Sequence, residues 1–265
     1  MTPKLELLEH PLSPYAQKVK IALNEKGVPF TTGMPAAIGS GNTPEAFRAA
    51  NPRGEVPVLY VDGRPLFDST IILEFIEDRF PETPLMPADP MARARARTIE
   101  EVCDTHYEAI TWGLSEIANF KRATGEQAAA MQATAGEQLA RLNGWLDKQL
   151  DGKAWLNGDT FGWADVCAAP FVQGAAGFGF GPAEGSALAG WLARVRARPS
   201  CAESFAQALA SLEAMSQVAD IVEAGLFKRQ YRDYRLEWMI RSGGIDVVLK
   251  GLEKDNIRFN QEPAA

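Results

Sequence analysis

Three short stretches combine residue types that can do chemistry. In "HPLSPYAQKVKIALNEKG", residues 10 to 27, Ser13 stands directly before Pro14 and an aromatic. Serine followed by proline is a common helix start, with the serine as the cap. A hydroxyl and free N–H groups at a helix start also stabilise a thiolate, through a hydrogen bond and a favourable dipole. The two roles can coexist. Lowering an ordinary thiol pKa of about 8.5 by roughly two units takes about 2.7 kcal/mol, which one hydrogen bond and a helix start can supply. In "EVPVL", residues 55 to 59, Pro57 interrupts an apolar strand that otherwise wants every backbone donor. At a strand edge, with a cis bond as one option, it leaves the N–H and C=O of Val56 facing outward to pair with an extended peptide. An ordinary edge proline explains the segment equally well. Asp68-Ser69 is a good helix N-cap. In its functional reading the helix start and the Ser69 hydroxyl hold a carboxylate while Asp68 pairs with an ammonium, which together describe the head of an amino acid.

The elements that position these residues follow from periodicity. Leu5-Glu6-Leu7-Leu8 reads as a strand, Ala16, Val19 and Leu23 recur at helical spacing, and Gly27 is a natural helix stop. An extended Val28–Thr31 and a short helical piece around Pro44 to Ala50 follow, which makes a β-α-β unit. Residues 56–61 and Arg64-Pro65-Leu66-Phe67 flank Asp62-Gly63, a strong hairpin signal. A last helix starts after residues 68–70, carries Ile71, Ile72, Phe75 and Ile76 on one face, and stops before Pro81. The fold class expected is thus α+β, βαβ then ββα with a mixed sheet. The stretch "PETPLMPADP", residues 81 to 90, holds four prolines and reads as a linker. Beyond it Ala, Leu, Glu, Arg and Gln dominate to about Ser216, so the second domain reads as all-helical. "GAAGFGFGPAEG", residues 174 to 185, reads as a flexible loop, and "ARARART", residues 92 to 98, as a solvated helix face.

The chain of 265 residues suits two modest domains. Its 46% apolar and 23% charged residues, with no long apolar run, exclude a membrane span. A charge of −7 argues against nucleic acid as a partner. Cys103, Cys167 and Cys201 are too few and too widely spaced for a disulfide framework or a zinc site, and His10 and His106 are the only histidines, so no metal is expected. The charged first residues lack a signal-peptide pattern, which places the chain in the cytoplasm.

The three stretches in this order, "SPYAQKVKIALNEKG", "NPRGEVPVLYVDG" and "DSTIILEFIEDRFP", with the proline linker and helical region after them, resemble the glutathione S-transferase family. The resemblance spans about residues 4 to 215 and is of the serine type, with a Ser-Pro-Phe/Tyr motif, tau-like or of a related bacterial class. It implies a thioredoxin-like domain over residues 1–82, a linker over 83–91 and a helical acceptor-substrate domain over 92–216, and it leaves a helical C-terminal extension over 217–265. It implies further that Ser13 assists the thiolate of glutathione, a co-substrate. Val56 and Pro57 would bind the cysteinyl backbone, and Asp68 and Ser69 the γ-glutamyl end. No basic match for the glycine carboxylate occurs near Asn42. "GDTFGWADVCAAP", residues 158 to 170, resembles the family's helix-capping motif, with Gly162 in place of its hydroxyl residue and Asp165 as a folding residue. Tyr15, Tyr107 and Trp112 are candidates for the acceptor pocket. The implied activity is transfer of glutathione to a small electrophile by a homodimer. The alternatives are a specialised glutathione-dependent lyase, cleaving aryl ethers or removing halide, and a non-catalytic glutathione-binding or interaction protein.

The tail stands outside the resemblance. In "LFKRQYRDYRLEWMIRSGG", residues 226 to 244, Phe227, Tyr231, Tyr234 and Trp238 recur at helical spacing beside Lys228, Arg232 and Arg235. The pattern predicts one amphipathic helix packed on the body or on a dimer partner.

Overall fold

Alternation buries Leu5 and Leu7 on one face of the first strand, β1 (Leu5–Leu8), and places it inside a four-stranded sheet. The computed structural model describes residues 3–36, 38, 44–214, 218–258 and 263. Helix α1 (Pro14–Glu25) returns the chain to β2 (Thr31–Gly33), which lies parallel to β1 and begins later than the extended segment expected from Val28. After α2 (Glu45–Ala50), β3 (Val58–Val61) runs antiparallel to β1, and the Asp62-Gly63 turn delivers β4 (Arg64–Phe67). Both turn residues have positive φ, +49° and +80°, as a two-residue hairpin of this hand requires. The order is β2-β1-β3-β4, with α3 (Ser69–Arg79) closing the unit. Ile72 and Ile76 of α3 are buried, but Ile71, expected on the same face, is exposed. Helix α3 buries Ser69, Ile72, Leu73 and Ile76, and Ile71 falls outside that arc.

After the proline-rich connection come α4 (Pro90–Val102), one π-helical turn (Cys103–Tyr107), α5 (Glu108–Ala118), α6 (Gly125–Leu150), α7 (Trp163–Gly177), α8 (Ala187–Ala197) and α9 (Pro199–Ala214). The tail adds α10 (Val218–Glu223), α11 (Tyr234–Arg241) and α12 (Ile245–Glu253). Helix α7 runs through the middle of the helical domain, buried over most of its length. At its start the Asp165 carboxylate, wholly buried, accepts from the N–H groups of Leu156 (2.8 Å), Asn157 (3.2 Å) and Gly162 (3.0 Å) and from Trp191 Nε1 (2.7 Å). Gly162 is there for space, because a Cβ would lie 2.4 Å from the Leu85 carbonyl oxygen and 2.1 Å from Asn157 Nδ2.

Four expectations are corrected by the packing. Gly174 to Gly177 belong to α7, and Phe178 and Phe180 in the connection that follows pack on the core, so residues 174 to 185 are only partly a loop. The arginines of residues 92 to 98 do more than face solvent. Arg95 bonds the Leu156 carbonyl (3.0 Å) and Gln149, and Arg97 pairs with Glu74 of α3. Tyr107 has no exposed surface, and its hydroxyl donates to Asn143 Oδ1 at 2.8 Å, so it is a core residue and not a wall of an acceptor pocket. Residues 226 to 244 are not one helix. Only Tyr234–Arg241 is helical, capped by Asp233, whose Oδ1 accepts from the Leu236 N–H at 2.6 Å, and Tyr234 and Trp238 are exposed. The three thiols are buried and free.

Asp165→Ala strands four buried donors and is expected to destabilise the chain by at least about 3 kcal/mol in urea unfolding. Tyr107→Phe orphans Asn143 Oδ1 at a cost of about 1–2 kcal/mol, with no change in any acceptor preference; a changed preference would return Tyr107 to the pocket.

Candidate active site

Strand register brings the three chemical stretches to one end of the sheet. Leu8 pairs with Val58, and Val58 pairs with Phe67. The loop after β1, the approach to β3 and the exit from β4 therefore meet there, carrying Ser13, Val56-Pro57 and Asp68-Ser69.

Ser13 caps α1, and Pro14 opens it. The Ser13 Oγ accepts from the Ala16 N–H at 3.3 Å, while the Ser13 carbonyl accepts from Gln17 at 3.0 Å. Accepting that bond leaves the hydroxyl hydrogen available, so the capping and donating roles are compatible. Val56 precedes the ladder, which starts at Val58, and among the described residues its backbone makes no hydrogen bond. The Val56–Pro57 peptide is cis. Asp68 has φ of +75° and caps α3, its Oδ1 accepting from Thr70 (3.1 Å) and Ile71 (3.5 Å). Its Oδ2 meets Arg53 Nη1 at 2.9 Å, which ties the loop before Val56 to the start of α3. The neighbouring Ser69 is buried at the first turn of that helix.

Tyr15 lies close by but is committed elsewhere. Its hydroxyl donates to the Asp104 carbonyl (2.7 Å) and accepts from Arg232 (2.8 Å), and its ring meets the edge of Phe171. Burial first, then the nearby Glu108, raises its pKa above the ordinary phenol value. With its proton held by a carbonyl, Tyr15 leaves Ser13 as the nearby hydroxyl with an uncommitted hydrogen.

The opposite wall of the site is α5 together with residues 226–233 of the tail. Phe227 stacks on Phe120 with centroids 6.0 Å apart. Arg229, only 7% exposed, lies 3.2 Å from the Trp112 ring centroid and 3.7 Å from that of Phe120, and bonds Glu116 and Ser115 at 2.7 Å each. Tyr231 sets its edge against Trp112 at 5.9 Å. Arg232 then reaches across the cleft, 3.2 Å from Glu108 of α5 and 3.7 Å from Glu55 beside Val56. Burial would lower the Arg232 pKa, but Tyr15, Glu108 and Glu55 raise it. Burial raises both Glu55 and Glu108 in spite of that cation.

Of the residues singled out from the sequence, Ser13, Val56, Pro57, Asp68 and Ser69 gather at one edge, Tyr15 and Trp112 each meet a residue of the tail, and Tyr107 is remote in the core. Asn42 lies outside the described residues. Reading the sequence missed Arg53, Glu55, Glu108, Arg229 and Arg232. Only Arg232 carried a signal, as part of the basic stripe in the tail. Among the described residues no group of His, Cys, Asp or Glu forms a metal site, and no helix is long and apolar enough to cross a membrane.

Comparison with known proteins agrees with this fold. Residues 7–84 match the model of the glutathione S-transferase N-terminal domain and residues 102–199 that of the C-terminal domain. A maleylacetoacetate isomerase of Pseudomonas aeruginosa is 29% identical, over 66% of this chain and 83% of its own. A stringent starvation protein A homolog of Haemophilus ducreyi is 30% identical, over 72% of this chain and 85% of its own. A rice glutathione S-transferase, solved in complex with glutathione, superposes with a TM-score of 0.65 at 27% identity, covering 84% of this chain and 98% of the other. With a thioredoxin-like domain that gathers a helix-capping serine, an unpaired strand edge and an Asp-Ser helix start, followed by a helical domain, the chain belongs to the glutathione S-transferase family.

Proposed function

We propose that the chain is a glutathione transferase that joins the thiolate of glutathione to a small electrophile in the cleft between its two domains. The observation that carries the reading is the convergence of Ser13, the unpaired Val56 backbone and Asp68-Ser69 at one sheet end. These groups fit the co-substrate. Val56 offers one N–H and one C=O to an extended peptide, Ser69 and the start of α3 offer donors to a carboxylate, and Asp68 offers an acceptor to an ammonium.

Glutathione supplies the nucleophile; the chain holds and ionises it. Ser13 donates its hydroxyl hydrogen toward the sulfur, and the N-terminus of α1 adds a favourable dipole. Both act on the charged form, so they lower the thiol pKa more than they tighten binding of the neutral thiol. The cleft formed by Tyr15, Trp112 and the tail receives the acceptor. A two-fold dimer in the cytoplasm is the assembly inferred from the family. A panel of electrophiles, aryl ethers and alkyl halides separates general transfer from the narrower lyase reaction.

Ser13→Ala is expected to raise the bound thiol pKa by about one to two units in ultraviolet titration and to lower kcat much more than glutathione affinity. An unchanged thiol pKa overturns the assignment, and loss of folding would leave Ser13 as a cap alone. Asp68→Asn and Ser69→Ala each remove a partner of the charged end and are expected to weaken glutathione about tenfold or more by calorimetry. Parental affinity in both variants would place the clamp elsewhere.

A further inference from the structure

The tail is fixed to the helical domain along one stretch and to the thioredoxin-like domain at one residue. Among the described residues, the hydrogen bonds and ring contacts of Phe227, Arg229 and Tyr231 go to α5 and to Phe120 just after it. Among the described residues of the strap, Arg232 alone crosses over, to Tyr15 two residues past Ser13 and to Glu55 one residue before Val56. It keeps one foot on α5 through Glu108. A guanidinium has five N–H donors. Here one hydrogen bond reaches the Tyr15 hydroxyl, and the two carboxylates stand at 3.2 and 3.7 Å, the second beyond hydrogen-bond length. The side chain remains one-third exposed. Arg232 is therefore held by attraction from several sides while keeping donors free for another anion.

We propose that Arg232 latches the tail strap, residues 226–233, over bound glutathione, so that strap closure and glutathione binding reinforce each other. The proposal rests on glutathione occupying the Val56 edge. Two effects set the sign. A peptide paired with Val56 fixes the backbone that carries Glu55, so the carboxylate facing Arg232 no longer has to be ordered at the moment of latching. Glutathione also carries a net charge of about −1 as the thiol and about −2 as the thiolate, which adds to the attraction that Glu55 and Glu108 already exert. Arg229 is no part of the latch, since all its partners belong to the helical domain; it is the hinge-side anchor. Once closed, the strap sets Tyr231 against Trp112 and so bounds the space left for an acceptor. Arg232 is thus a positioning residue, acting on the peptide through Glu55 and on the acceptor space through the strap.

Coupling of this kind is reciprocal, and reciprocity provides the test. Glutathione affinity by calorimetry and chymotryptic cleavage after Phe227 and Tyr231 are measured on the full parent chain and on Arg232→Met, which keeps both cleavage sites. In the parent, saturating glutathione is expected to slow cleavage of the strap about fivefold or more. In Arg232→Met, affinity is expected to fall by a similar factor, and glutathione no longer to protect the strap. Glu55→Gln removes the opposite side of the latch without altering the tail and is expected to show the same two losses. It decides the matter should the circular dichroism of Arg232→Met show misfolding. Parental affinity in the variants, protection that persists in them, or a parent that binds glutathione without protection of its strap would each overturn the latch. A parent with no calorimetric signal for glutathione would overturn the reading of the site itself, and the latch with it.

Discussion

A buried ammonium holds the two domains together. Lys18 of α1 has no exposed surface, and its Nζ donates to Glu100 Oε1 (3.0 Å) and to both oxygens of Asp104 (2.9 and 2.7 Å). Burial would lower its pKa, but Asp104 and Glu100 raise it above the ordinary lysine value. Glu100 spends its remaining capacity on the Thr70 hydroxyl of α3 (2.8 Å) and on Trp163 Nε1 of α7 (2.7 Å). One network therefore binds α1 and α3 of the first domain to α4, the π-helical turn and α7 of the second. A buried ion pair gains little against an apolar alternative, because the Coulomb attraction mostly offsets desolvation. Its effect is geometric: any relative slide of the domains leaves charges buried without partners, which costs several kcal/mol. The π-helical turn serves the same end, since it carries Asp104 and presents the Asp104 carbonyl to the Tyr15 hydroxyl.

That constraint makes α1 a member of two cores. Val19 and Leu23 pack with β1, β3 and α3, while Ile21 and Ala22 belong with α4, α6 and α7. At the far end of the helix Glu25 meets Arg198 at 2.5 Å and also receives the Ser200 hydroxyl. A helix gripped on both faces and at its end cannot tilt independently of either domain. Ser13 caps that helix, so its hydroxyl is fixed relative to the peptide edge in one domain and the α5 wall in the other. Near-attack geometry needs that precision, because a displacement on the order of 1 Å at a reacting group is costly.

The first domain was legible in the sequence because its signals are local. Alternation gave β1, Asp62-Gly63 gave the hairpin, Ser13-Pro14 and Asp68 gave helix starts, and these elements fall where their residues said, give or take a few positions at β2 and β3. The candidate site was legible to the same depth, as the ends of those elements. What stayed hidden depends on long-range partners. Lys18 and Glu100 look like solvated charges, since nothing nearby in the chain shows that a lysine and a glutamate more than eighty positions apart share a dry pocket. The same holds for Arg95, whose partners Gln149 and Leu156 lie more than fifty positions on, and for Glu55 and Glu108, whose shared partner Arg232 lies in the tail. Tyr107 failed in the opposite way: an aromatic at helical spacing suits a pocket wall and a core equally, and its partner Asn143 lies on another helix.

The tail shows why periodicity alone misjudged residues 226 to 233. Phe227, Tyr231, Tyr234 and Trp238 match a helical repeat, yet Phe227 stacks on Phe120 just after α5, Tyr231 sets one edge on Trp112 of α5 while staying largely exposed, and the last two are exposed on α11. Length decides between the conformations. The partners of Phe227 and Arg232 are Phe120 and Glu108, twelve helical steps apart along α5 and just beyond it, or about 18 Å at a rise of about 1.5 Å per residue. The five steps from Phe227 to Arg232 would span about 8 Å as a helix but about 17 Å when extended. Only the extended chain lays each anchor on its own partner, running antiparallel to α5 with Arg229 and Tyr231 over Trp112 between the two ends. The hydrogen bonds a helix would have made are forgone for the burial of Arg229 against two rings and a carboxylate, and for the reach that carries Arg232 past the end of α5 to the neighbouring domain. The helix resumes at Asp233, where the last anchor has been set and the cap is free to start it.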